Sequence, residues 1–115
     1  MFRVLLMTTM LLPSLALADD GFLSGDDLGR FVSPATWSMS TWSDTWEGGP
    51  TAGRIKSVTN QGICRGSWSV SGEVITIDYQ TCNDYDGQWK VRGGPDTTAT
   101  FVHVGSGREY TMRKQ

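Results

Sequence analysis

Between residues 63 and 80 the chain reads as two alternating segments joined by Ser71-Gly72, and no other feature restricts its fold as strongly. Over 63–70, Cys64, Gly66, Trp68 and Val70 share one face while Arg65, Ser67 and Ser69 take the other. Over 73–80, Ile75, Ile77 and Tyr79 fall on one side. A period of two marks a half-buried strand, and Ser-Gly between two such runs makes a short hairpin connection. Folding there brings residues near 64 opposite those near 79–82, so Cys64 and Cys82 come within bridging reach.

The rest of the chain from Ala35 onward follows the same logic. Segment 36–43 is rich in β formers, with Trp37, Met39 and Thr41 on one face, and Asp44 to Pro50, carrying Gly48-Gly49-Pro50, reads as a loop. Further strands are expected at 52–59, 88–92, 98–104 and 108–113, separated by Asn60-Gln61-Gly62, Asn83 to Gly87, Gly93-Gly94-Pro95-Asp96 and Gly105-Ser106-Gly107. Only one helix is expected. Ser24 stands at an N-cap with Asp27 three residues on, Leu28, Phe31 and Val32 share a face, and Pro34 ends it after about two turns. So short a helix must draw its stability from packing, here over one end of the β structure. The expected fold is all-β: one small antiparallel meander of six to seven strands, closed as a barrel or folded as a sandwich. The alternation is common to both forms.

The amino terminus reads Met1-Phe2-Arg3 and then a largely apolar run from Val4 to Leu17, ending at Ala16-Leu17-Ala18 before Asp19-Asp20. A positive start, a short apolar stretch and small residues before the cut predict a secretory signal peptide over residues 1–18. The run falls short of the roughly 20 apolar residues a membrane helix needs, so no span is expected after cleavage. The expected organisation is therefore a leader at 1–18, a lead-in and short helix at 19–34, and a β domain at 35–115, exported to the periplasm or secreted. Two cysteines bound for an oxidising compartment read as a disulfide, Cys64–Cys82. The alternative, a metal site, would have only His103 to add to the two thiols and would be one ligand short of a tetrahedron.

Charge narrows the partners. Losing Arg3 leaves nine basic against 12 acidic residues, and Arg54, Lys56, Arg65, Lys90, Arg92 and Arg108 are scattered singly along the chain. No nucleic-acid partner is expected from such a balance. All five tryptophans follow the leader. Trp68 and Trp89 are in phase with core positions. Trp37, Trp42 and Trp46 are not all in phase with one another, so at least one should face outward or line a cleft. They either pack as filler or present indoles to a ligand, and they form the candidate binding set.

No catalytic set emerges. His103 is the lone histidine, Gly-x-Ser-x-Gly does not occur, and Glu47, Glu73, Asp78 and Glu109 form a carboxylate pair only if the fold joins two of them. Asn83-Asp84-Tyr85-Asp86-Gly87 invites a calcium reading, but an EF-hand alignment puts Cys82 at the first ligand position and Gly93 where the bidentate Glu belongs. An Asx-rich hairpin turn, whose side chains cap the backbone locally, accounts for it without a metal. No cofactor and no metal are expected.

Leu23 to Leu28, Thr36-Trp37, and Gly66 to Gly72 ahead of a second cysteine together resemble small signal-peptide-bearing periplasmic β-domain proteins of Gram-negative bacteria. The resemblance implies a compact secreted β domain. Residues 82–89 are also similar to the Gly-Cys-Asn-x-Tyr-x-Gly-x-Tyr signature of META-type periplasmic domains, with Thr81 in place of the leading glycine and the later cysteine absent. The functional expectation is a non-enzymatic exported domain that binds an envelope component or protein partner through its Trp-rich segment. The competing expectations are an envelope hydrolase using a carboxylate pair and a structural or stress-related envelope protein without a small ligand.

Overall fold

A computed structural model describes residues 21–82 and 87–115. The expected leader at 1–18 and the Asn83–Asp86 stretch of the calcium reading lie outside the described residues. Helix α1 (Gly25–Val32) precedes eight strands: β1 (Ala35–Met39), β2 (Trp42–Gly48), β3 (Ala52–Thr59), β4 (Gly62–Ser71), β5 (Val74–Tyr79), β6 (Gly87–Gly93), β7 (Thr98–His103) and β8 (Glu109–Lys114). Each strand pairs antiparallel with the next, and β8 returns to β1 through Trp37↔Lys114 and Ser38↔Arg113, closing a barrel. The Gln115 N–H adds a hydrogen bond to the Thr36 carbonyl at 2.9 Å across that seam. Closure leaves no free sheet edge, and it settles barrel against sandwich.

The strand count exceeds the expected six to seven because segment 36–43 is not one strand. Met39 pairs with Trp42 across a two-residue turn, Ser40-Thr41, in which Ser40 takes a φ of 50°. The chain then continues as β2 through the stretch expected to be a loop. Two-residue hairpin turns need positive φ, which Gly, Asn and Asp adopt most readily, so a Ser-Thr turn among β formers carries little signal.

Inward residues follow the period of two around the whole barrel. Trp37, Trp46, Ile55, Trp68, Ile75, Ile77, Trp89, Val91, Ala99, Phe101 and Met112 are buried as one cluster. Eight strands enclose a space just wide enough for side chains to fill, and here large aromatics fill it. Trp46 meets Trp68 edge-on at 5.6 Å, and Trp37 meets Phe101 at 5.5 Å. The Trp68 Nε1–H is shared between the carbonyls of Arg54 at 3.0 Å and Glu47 at 3.2 Å, which ties the ring to β2 and β3. At Gly66 the strands lie so close that a Cβ would stand 2.3 Å from the Asp78 carbonyl oxygen, so no side chain fits there.

Helix α1 closes one end, as expected. Leu28 and Val32 are fully buried, Phe31 stacks 5.4 Å from Trp37, and the Trp37 Nε1–H donates to the Val32 carbonyl at 3.2 Å. Gly29 lets the helix sit directly on the β2–β3 turn, for a Cβ there would overlap the Pro50 carbonyl. Ser24 occupies the N-cap position, but its side chain makes no capping hydrogen bond. Residues 21–23, within the expected lead-in, are tied down. The Leu23 N–H donates to the Val91 carbonyl at 2.9 Å, and Phe22 is buried under Lys90 and Arg92, whose charged ends lie 5.2 and 4.8 Å from its ring.

Candidate functional site at the open end of the barrel

The opposite end carries the β1–β2, β3–β4 and β7–β8 turns and, among the described residues, no helix. There the Cys64–Cys82 disulfide joins β4 to the segment leaving β5, with Cα atoms 5.6 Å apart. Gln80 and Thr81 prolong the hairpin toward it through bonds to Arg65, each 2.8 Å long. Both thiols are used in this bond, which closes the metal alternative for them.

Once β2 starts at Trp42, the sequence Trp42-Ser43-Asp44-Thr45-Trp46 alternates, and Trp42, Asp44 and Trp46 all point inward. The register sets Asp44 opposite Ser57 on β3. Ser57 Oγ donates to Asp44 Oδ1 at 2.5 Å, and Trp42 Nε1 donates to the same oxygen at 2.7 Å. Ser57 has a single proton, so the Tyr79 hydroxyl, also hydrogen-bonded to Ser57 Oγ, must act as donor in turn. A relay of donors thus runs from Tyr79 through Ser57 to a carboxyl that is only 5% exposed. Burial pushes Asp44 up from the usual 3.8 to about 6, while the bonds from Ser57 and Trp42 pull the other way.

Aromatic rings cover this carboxyl. Trp42 contacts Tyr110 at 5.3 Å and Trp89 at 6.5 Å, and Trp89 contacts Tyr110 at 5.7 Å and His103 at 4.9 Å. His103 is half-buried at the rim. The Ser106 N–H donates to its Nδ1 at 3.2 Å, which makes that nitrogen the acceptor and leaves the neutral ring's proton on Nε2. The cavity between Trp42, Asp44, Trp46, Tyr79 and Trp89 measures about 10 Å³. That is no more than one water molecule occupies, so the lumen as folded admits no organic ligand. The Nε1–H groups of Trp46 and Trp89 are buried without an acceptor among the described residues.

These positions bear directly on the candidate residues. Trp37 and Trp46 are each 1% exposed and belong to the core, whereas Trp42 is half-buried at the mouth. The Asp44–Ser57–Tyr79 relay escaped sequence reasoning because Asp44 was read as a loop residue. Its one signal is an acid in phase between two tryptophans. The four carboxylates weighed for hydrolysis stay apart. Glu73 pairs with Lys90 at 2.8 Å and Glu109 with Arg92 at 3.2 Å. Glu47 and Asp78 stand three strands apart along one row of the wall, roughly 14 Å at the usual strand spacing. Glycosidase pairs stand closer, at roughly 5–9.5 Å. Among the described residues, no three His, Cys, Asp or Glu side chains gather as a metal site. No family model, curated protein or solved structure matches this chain.

Proposed function

We propose that this chain is a non-enzymatic exported domain that binds a protein or another component of the cell envelope with the open end of its barrel. The observation that carries the reading is the asymmetry of the two ends. One is covered by α1. The other holds half-buried Trp42 among Tyr110, Trp89 and His103, and the two exposed large hydrophobics among the described residues lie at the same end. Ile63, beside the β3–β4 turn, is 51% exposed, and Val104, leaving β7, is 41% exposed. Exposed apolar side chains at the turn-bearing end of a rigid scaffold favour an interaction surface. The filled lumen favours contact at the rim over uptake of a small ligand. Of the Trp37–Trp46 segment, Trp42 is the contact residue, and Trp37 and Trp46 hold the barrel that presents it. A disulfide suits the oxidising compartment in which export would leave the protein.

The test compares the mature protein with an Ile63→Ser, Val104→Ser double variant for capture of partners from envelope extract, identified by mass spectrometry. Both substitutions are on the surface, so thermal stability should be unchanged while specific capture is lost. Equal capture by both proteins would refute the open end as the binding surface.

A further inference from the structure

The cations scattered along the sequence do not remain scattered in the fold. Lys90 and Arg92 pair with Glu73 and Glu109, and Arg30 lies near Asp26 and Asp27. Arg54, Lys56 and Arg65 have no carboxylate within ion-pair distance among the described residues, and the register gathers them on the outer wall. Arg54 and Lys56 alternate outward on β3, and Lys56 stands directly opposite Arg65 on β4. Opposed side chains in a ladder have Cβ atoms about 5 Å apart, and like charges there destabilise the sheet.

Row by row, the wall shows where the excess lies. One row reads Glu47, Arg54, Ser67 and Asp78 across β2 to β5, with an acid on either side of its single cation. The next reads Thr45, Lys56 and Arg65 across β2 to β4, with two cations, a hydroxyl and no acid. A groove of about 280 Å³ opens over these rows, lined by Thr45, Glu47, Arg54, Ile55, Lys56 and Arg65. Its size approaches the roughly 300 Å³ at which small-molecule pockets begin. Three cations face one acid here, in a chain whose net charge is −2.

We infer that this groove is a binding site for a phosphate-bearing ligand, with the phosphate dianion held between Lys56 and Arg65. Two opposed cations leave a local excess of two positive charges, which a phosphate monoester matches and a single carboxylate does not. Arg offers a planar fork to phosphate oxygens and Lys a point charge, so the pair combines both modes of recognition. The Thr45 hydroxyl, 3.0 Å from that of Thr36, lies at the end of the same row and adds a neutral donor. The remainder of the groove, toward Arg54 and Glu47, takes the group that carries the phosphate. This site lies on the wall and does not depend on the open-end reading.

The experiment titrates ¹⁵N-labelled mature protein with inorganic phosphate at constant ionic strength, with chloride as the control and phosphatidic acid vesicles as a second arm. Saturable amide shifts confined to residues around 45, 56 and 65 are expected with phosphate. A Lys56→Gln, Arg65→Gln variant should bind roughly tenfold or more weakly, as loss of charge-assisted bonds implies. The same variant should melt no lower than wild type in phosphate-free buffer, because like-charge repulsion is relieved. Binding to vesicles with no response to free phosphate would keep the site and identify a lipid headgroup as the source. Equal shifts with chloride, undiminished binding by the double variant, or no binding in either arm would overturn the inference.

Discussion

The two ends of this barrel are built from similar residues put to different ends. At the helix-covered end, Trp37 is enclosed by Phe31 and Phe101, and its Nε1–H is satisfied by a helix carbonyl. At the open end, Trp42 is only partly buried, and its Nε1–H goes to a buried carboxyl. The first indole stabilises by removing apolar surface from water and by tying α1 to β1. The second shares its site with a titratable group, a disulfide and three turns. At the covered end the indole serves packing alone, and at the open end it also serves a buried carboxyl.

That contrast can be broken most directly at Trp37. Trp37→Ala should cost about 3–5 kcal/mol in urea denaturation, the usual loss for a buried tryptophan, and should loosen α1 with it. A loss below 1 kcal/mol would mean that the Trp37 indole contributes little to packing there. At the open end, Cys64→Ser with Cys82→Ser should cost about 3 kcal/mol by the chain-entropy argument for a loop of this length. Hydrogen exchange should then rise near Cys64 and Thr81 and stay low in α1, and a uniform rise would abolish the distinction between the ends.

Asp44 sharpens the comparison with a pH dependence of defined sign. Its folded pKa, about 6, stands above the usual 3.8, so the folded state binds the proton more tightly than the unfolded one. The stability this confers is fully present below about pH 4, falls as pH rises, and is gone above about pH 6; the total is on the order of 2–3 kcal/mol. In Asp44→Asn this component should vanish, and the variant should equal or exceed wild type in stability at pH 7. An unchanged slope between pH 4 and 6 would assign the effect to other groups. The smallest effect belongs to the rim. Ile63→Ser and Val104→Ser should each shift stability by no more than about 0.5 kcal/mol, as for ordinary surface positions.

Legibility in the sequence followed the range of the interactions involved. The β4–β5 hairpin could be read because its alternation is clean and Ser71-Gly72 supplies a turn in which Gly72 takes a φ of 61°. From it followed the disulfide and the inward faces of Trp68, Ile75, Ile77 and Tyr79. Helix α1 could be read from Leu28, Phe31, Val32 and Pro34. The β1–β2 hairpin could not, because Ser40-Thr41 lies among β formers and looks locally like more strand. Missing that turn put Asp44 in a loop and set Trp42 and Trp46 out of phase with Trp37, which concealed the carboxyl between them.

The sequence by itself determined the β character, helix α1 and the cysteine pairing, because period and turn chemistry act over a few residues. Only the tertiary structure decided that the meander closes, since the pairing of Trp37 with Lys114 joins the two ends of the β domain. Strand register set Asp44 against Ser57 and Lys56 against Arg65, and the curvature of the closed sheet brought Tyr79 to Ser57 and decided which tryptophans lie inside. The physical reason is common to all of these. Period two tells a side chain which face of its own strand it takes, whereas its neighbours are set by register and curvature, which belong to the closed sheet as a whole.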